Sequence, residues 1–171
     1  MASAGRSRPP RPDGTPPGAV MLHASAVALR GRGLLILGAS GAGKSSLALQ
    51  MMALGCSLVA DDRVIVYRES GEDAPGGRPN TGLDTAQAPP RLACPPQLNG
   101  LIEARRIGLL NAATAPADLC AAVDLDRTEP ERLPPHREIR LAGAAIPLFL
   151  RSEGPGFVAG LVQYLKGGRA A

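Results

Sequence analysis

The stretch that decides the fold is Leu34-Leu35-Ile36-Leu37-Gly38-Ala39-Ser40-Gly41-Ala42-Gly43-Lys44-Ser45. Four successive aliphatics predict a short buried strand, and the eight residues after them match G-x-x-x-x-G-K-[ST] at every fixed position. From Ser45 to Leu54 the residues Leu47, Met51 and Leu54 recur at spacings of four and three, with Ala48 and Met52 beside them. This predicts a helix with one apolar face, stopped by Gly55 in the left-handed conformation that glycine adopts at little cost. Strand, glycine loop and helix in that order are the context the motif demands. The glycines let the loop curl so that successive backbone N–H groups point inward, and the helix adds its positive end, so together they cradle a polyphosphate. Gly38, Ala39, Ser40, Gly41, Ala42, Gly43, Lys44 and Ser45 form that cradle, with Lys44 reaching the outer phosphates and the Ser45 hydroxyl ligating Mg²⁺.

Outward from the loop, Met21 to Leu29 alternates small and apolar residues and predicts one strand, after which Gly31 to Gly33 turns the chain. Ser57 to Ala60 predicts the strand after the helix, ending in Asp61 and Asp62, and Val64 to Tyr67 another. Glu69 to Pro96, rich in Gly, Pro, Asp and Ala, shows no sustained period, so it is expected to be functional or mobile. Order resumes at Leu101 to Leu110 around Glu103, and Leu119 to Leu125 predicts a strand. Arg137 to Leu141 and Ala144 to Leu150 flank Ala142-Gly143 as a hairpin, and a last helix is expected from Pro155 to Leu165. Strand, loop and helix alternate first and strands dominate later. The class is α/β with a mixed, partly antiparallel sheet and a few helices.

The chain has 171 residues, about one domain's worth, with 44% hydrophobic and 20% charged residues. No run reaches the length of a membrane span, and residues 1 to 20 lack the apolar stretch of a secretory signal, so a cytoplasmic location is expected. The net charge of +4 invites a nucleic-acid reading, but its distribution argues against one. Residues 1 to 20 carry a net +2, Lys166 and Arg169 add +2, and the body between is neutral. Only Tyr67, Phe149, Phe157 and Tyr164 are aromatic, which excludes a binder that stacks successive bases. Residues 1 to 19 are expected to be a disordered basic leader, 20 to 166 the folded domain and 167 to 171 a flexible tail. Cys56, Cys94 and Cys120 lie far apart with no zinc-ligand spacing and read as reduced thiols or core filler.

Asp61 and Asp62 end the strand after the helix, where P-loop proteins place the carboxylate that organises the metal. Neighbouring strand residues point to opposite faces, so a regular strand end aims one of them at the phosphates and leaves the other to cap a turn. For both to act, the backbone must turn there. A carboxylate near the γ-phosphate also serves as base for an attacking hydroxyl. His23, taken alone, reads as a structural histidine. Glu103 and Arg105 lie inside an apolar stretch and need partners, either each other or a metal and a phosphate.

Taken together, His23-Ala24-Ser25, the glycine loop Gly38 to Ser45, Leu58-Val59-Ala60-Asp61-Asp62-Arg63-Val64, and Glu103-Ala104-Arg105 before Ile107-Gly108-Leu109 resemble the catalytic domain of the HPr kinase/phosphorylase family, over residues 20 to 165. The likeness is to the short α-proteobacterial form without the separate N-terminal domain. It implies a P-loop kinase fold and a bacterial kinase that moves the γ-phosphoryl group of ATP to a serine of HPr, the phosphocarrier protein of the phosphotransferase system. In long-form members the site also runs the reverse reaction, in which inorganic phosphate attacks phosphoserine. Carried over by position, Lys44 holds the β/γ-phosphates, Ser45 and Glu103 bind Mg²⁺ with Asp61 in support, and Asp62 is the base. His23 lies near the transferred phosphoryl, Arg105 positions phosphate, and Arg132, or else Arg127, matches a further catalytic arginine. The resemblance also implies a homo-oligomer, a hexamer or smaller; the charge distribution, the few aromatics and the lack of a spanning run leave neither nucleic acid nor membrane as an expected partner. Competing readings are a P-loop kinase of a small metabolite and a nucleotide-binding regulatory module with little turnover. The family pattern E-x-R-G-x-G has glycine where this chain has Arg106, so a different backbone is expected there. The family's arginine- and glycine-rich segment tied to dephosphorylation is matched only weakly by Leu150-Arg151-Ser152-Glu153-Gly154, which favours the kinase direction.

Overall fold

The computed structural model describes residues 18–68 and 88–170. In it the aliphatic run that feeds the glycine loop is β3 (Arg32–Leu37), at the centre of a mixed sheet. On one side β3 pairs antiparallel with β2 (Ser25–Leu29), which pairs antiparallel with β4 (Ser57–Ala60). On its other side it pairs parallel with β9 (Ala117–Thr128). The far edge of β9 is shared: its start pairs antiparallel with β6 (Arg91–Ala93) and its end parallel with β11 (Ala144–Arg151). β6 continues through β5 (Arg63–Tyr67) to β1 (Val20–His23), and β11 pairs with β10 (Glu138–Leu141). Two turns of paired positive φ close the hairpins: Arg30 and Gly31 between β2 and β3, and Ala142 and Gly143 between β10 and β11. Their twist matches that of the strands they join.

Strand alternation splits the aliphatics into two cores. Leu34 and Ile36 face α1 (Lys44–Ala53) and α2 (Phe157–Gly167), packing with Val27, Leu47, Met51, Val123, Leu161 and Leu165. Leu35 faces away into a second core of strand residues, including Val59, Val64, Leu92, Leu119 and Leu148. The register of β9 slips by one at Cys120, between the pairs Gly33–Leu119 and Leu34–Ala121. Without that bulge Leu119 and Ala121 would lie on one face; with it they serve opposite cores. The three cysteines are free, and burial pushes each thiol up, so they contribute packing rather than nucleophiles.

Several expectations change. The predicted strand Met21 to Leu29 is broken at Ala24, whose N–H leaves the ladder to donate to the Asp62 carbonyl at 3.2 Å. Leu101 to Leu110 is a separate hairpin, β7 (Leu101–Ala104) and β8 (Gly108–Asn111). The segment Glu69 to Pro96 contains β6 and ends at a short 3₁₀ turn, Pro96–Leu98, because Leu92 is buried; residues 69–87 lie outside the described residues, as does the leader through residue 17. The last helix starts at Phe157 rather than Pro155, after a turn closed by the Phe157 N–H on the Gly154 carbonyl. After it, the Arg169 guanidinium donates to the Pro134 carbonyl. Among the described residues no helix is long and apolar enough to cross a membrane.

Candidate active site

Because β2 runs antiparallel to both neighbours, β3 and β4 run the same way, and their C-terminal ends meet the N-terminal end of β2. The glycine loop, Asp61 and Ser25 are therefore brought to one end of the sheet. There they line a cleft of about 460 Å³ with His23, Lys44, Ser45, Asp62, Glu103 and Arg105.

The loop takes its shape from glycine where a side chain is impossible. Gly38 has φ +148°, and a Cβ there would stand 2.9 Å from the Ala42 Cβ. Gly43, at φ +98°, caps α1 with no side-chain bond, and the first turn of the helix carries no acid. Its N–H groups stay available to an anion. Lys44 is buried, and its Nζ donates to the Gly38 and Ala39 carbonyls at 2.8 and 2.9 Å. At 3.2 Å it also meets His23 Nε2, which must accept because an ammonium only donates. That leaves the ring hydrogen on Nδ1, facing Asp62 Oδ1 at 3.3 Å.

The adjacent aspartates divide. Asp61 is buried: Oδ1 accepts from the Ser25 and Ser45 hydroxyls at 2.6 and 2.9 Å, and Oδ2 from the Glu103 N–H at 3.1 Å. Asp62 has φ +66°, and the Arg63 N–H donates across it to the Asp61 carbonyl at 2.8 Å. This i to i+2 bond over a left-handed centre is the γ turn of the rarer, strained hand. The turn is what frees both carboxylates to face the cleft, one inward and one outward. Asp62 is 61% exposed.

Ser45 and Asp61 supply hard oxygen donors of the kind Mg²⁺ takes, and the Glu103 carboxylate lines the same cleft. Among the described residues no group of three His, Cys, Asp or Glu side chains is poised to hold a metal alone. A cation held here would need further ligands, such as phosphate oxygens and water, which Mg²⁺ commonly takes.

Glu103 and Arg105 make no mutual ion pair among the described residues; both face the cleft instead. Arg106 keeps the glycine-like conformation at φ +67°. The different backbone expected there is absent, and arginine bears the left-handed strain directly. Arg106→Gly should therefore raise stability by about 0.5–1 kcal/mol, the lost strain exceeding the entropy cost of glycine, read as a small rise in Tm. Arg132 is not brought to the cleft. It lines a separate groove with Glu129, Pro134 and Phe149, while Arg127 pairs with Asp124 at 2.7 Å.

Two residues without an assigned sequence role hold the site. Ser25 is fully buried and fixes Asp61. Asp126 stands where β9 bulges away from β11, between the pairs Asp124–Leu150 and Thr128–Arg151, and both its oxygens lie 2.9 Å from the Ala39 N. No local sequence pattern marks Asp126; the parallel pairing of β9 beside β3 brings it to the loop, at the ends of adjacent parallel strands where ligands gather. Asp126→Ala should weaken nucleotide binding by about 5-fold, the value of one such bond, with Asn restoring most of it; titration calorimetry checks both.

The sequence profile of the HPr Serine kinase C-terminal domain matches residues 18–115. Over 132 residues the chain is 34% identical to the HPr kinase/phosphorylase of Aromatoleum aromaticum, covering 70% of this chain and 37% of that protein. Over 95 residues it is 39% identical to that of Cupriavidus necator, covering 56% and 24%. The chain thus spans well under half the length of these relatives. Its fold is similar to that of the HPr(Ser) kinase/phosphatase from Coxiella burnetii, with a TM-score of 0.61 at 20% identity over 86% of this chain and 88% of that one. The profile covers β1 to β8, and so includes the glycine loop, the paired aspartates and the Glu103 hairpin. On that match the chain belongs to the HPr serine kinase C-terminal domain family.

Proposed function

We propose that the chain is an ATP- and Mg²⁺-dependent protein-serine kinase of the cytoplasm whose acceptor is an HPr-type phosphocarrier protein. The observation that carries this reading is the division of the aspartates: Asp61 is buried against Ser45, while Asp62 is exposed beside His23 at the mouth of the cleft. A base exposed in this way is reached by a hydroxyl on the surface of a folded protein.

The helix N-terminus and loop N–H groups bind the phosphates, and Lys44 places its charge beside the outer ones. When bound at Ser45 and Asp61, Mg²⁺ neutralises charge on the phosphate oxygens. Asp62 accepts the proton of the serine hydroxyl as its oxygen bonds to the γ-phosphorus and the bond to the leaving ADP breaks. Arg105 is the guanidinium that lines the cleft among the described residues, and it stabilises charge developing on the transferred group. His23 links Asp62 to Lys44 and orients both.

The kinase direction is favoured over phosphorolysis, and the reading includes a homo-oligomer of six copies or fewer. Incubation with γ-labelled ATP, Mg²⁺ and HPr should place label on a serine of HPr. Label on a small metabolite, or binding with no transfer, overturns the reading. Rapid pyrophosphate release from phosphorylated HPr and inorganic phosphate would overturn the preferred direction.

A further inference from the structure

The strand ladder changes partners opposite the two aspartates. His23 of β1 pairs with Arg63 of β5, and Ala26 of β2 pairs with Ala60 of β4, so Ala24 and Ser25 face Asp61 and Asp62 across the gap between the two ladders. Three consecutive residues bridge that gap. His23 Nδ1 meets Asp62 Oδ1 at 3.3 Å, the Ala24 N–H donates to the Asp62 carbonyl at 3.2 Å, and the Ser25 hydroxyl donates to Asp61 Oδ1 at 2.6 Å. Alternate residues share a face, so His23 and Ser25 both border the cleft while Ala24 is buried in the core behind it. Ser25 is fully buried, and a hydroxyl so placed acts on the site through the carboxylate it holds.

A hydroxyl has one hydrogen to give, and Asp61 Oδ1 takes one from Ser25 and one from Ser45. With its hydrogen committed to Asp61, Ser45 keeps its lone pairs for the cleft, as a cation ligand requires. Ser25 ties down the carboxylate to which Ser45 is tied. We propose that Ser25 is a positioning residue for the cation: it holds Asp61 in the orientation that turns the Ser45 oxygen toward the phosphates. The assignment rests on the Mg²⁺-dependent kinase reading of the cleft. A hydroxyl bonded to a carboxylate is among the stronger hydrogen bonds, and a carboxylate tied in this way loses less freedom on meeting a cation.

The test is calorimetric titration with ADP, in Mg²⁺ and in EDTA, on the wild type, Ser25→Ala and Ser25→Thr. Ser25→Ala should weaken ADP about 3- to 10-fold in Mg²⁺, the value of one hydrogen bond, and leave it unchanged in EDTA. Threonine keeps the hydroxyl but adds a methyl to a packed site. Ser25→Thr should therefore unfold at lower denaturant yet keep the Mg²⁺-dependent affinity of the wild type. Wild-type affinity in Ser25→Ala, an equal loss with and without Mg²⁺, or an equal loss in both variants overturns the assignment. Denaturant unfolding without metal gives a second readout: Asp61→Asn should lower the midpoint less in the Ser25→Ala background than in the wild type, and additive losses would contradict the coupling. If ADP behaves as expected while HPr receives no label from ATP, the kinase reading fails and the role of Ser25 stands. If HPr is labelled while Ser25→Ala keeps the wild-type response to Mg²⁺, the kinase reading stands and Ser25 serves packing alone.

Discussion

Asp62→Asn should lower kcat for serine phosphorylation by about 10²–10⁴-fold, the range a positioned general base supplies, with ATP affinity close to wild type. The side chain keeps its size and can still meet His23, so the loss isolates proton acceptance. Asparagine also tolerates the left-handed backbone that this position requires at φ +66°, which keeps the γ turn in place. Single-turnover transfer with labelled ATP reads the chemical step, and calorimetry reads the binding. Transfer at the wild-type rate would mean that the proton leaves by another route and that the exposed aspartate is not the base.

The second large effect belongs to its neighbour. Asp61→Asn should cost about 10²–10³-fold in kcat, the scale of one lost electrostatic contact to the reacting phosphates, and about 1–3 kcal/mol of stability. Three donors converge on this carboxylate, two hydroxyls and the Glu103 N–H. Asparagine has one acceptor oxygen, so its NH₂ confronts a donor, and the negative charge facing the metal is gone. The two variants are told apart by stability and metal dependence. Asp61→Asn should unfold at lower denaturant and need more Mg²⁺, whereas Asp62→Asn should do neither. Equal behaviour of the two variants in denaturant and Mg²⁺ titrations would contradict the division of roles.

The loop was legible because its constraint is local: glycine spacing, a preceding apolar strand and a following amphipathic face all lie within some twenty residues, and each appears as read. The hairpin at Ala142-Gly143 was legible for the same reason. The turn at Asp62 followed conditionally, from the argument that two adjacent carboxylates act together only if the backbone bends. What stayed hidden depends on contacts between distant segments. Nothing near Asp126 announces its bond to Ala39, since that bond exists only once β9 lies beside β3. The break at Ala24 depends on the Asp62 carbonyl, and the burial of Leu92 within Glu69 to Pro96 depends on β5 and β9. Arg106 shows the converse: sequence marked the missing glycine, but not that arginine would adopt glycine's conformation.

The pairing of β3 with β9 bears on how the domain assembles. The β2–β3 and β10–β11 hairpins close over two-residue turns and form quickly, whereas the Ala39–Asp126 contact spans 87 positions and must await loop closure across most of the domain. The glycine loop thus has its local shape early but its support late. The part of nucleotide affinity that rests on the Ala39–Asp126 contact is therefore acquired only once β9 has paired with β3, later than the two hairpins.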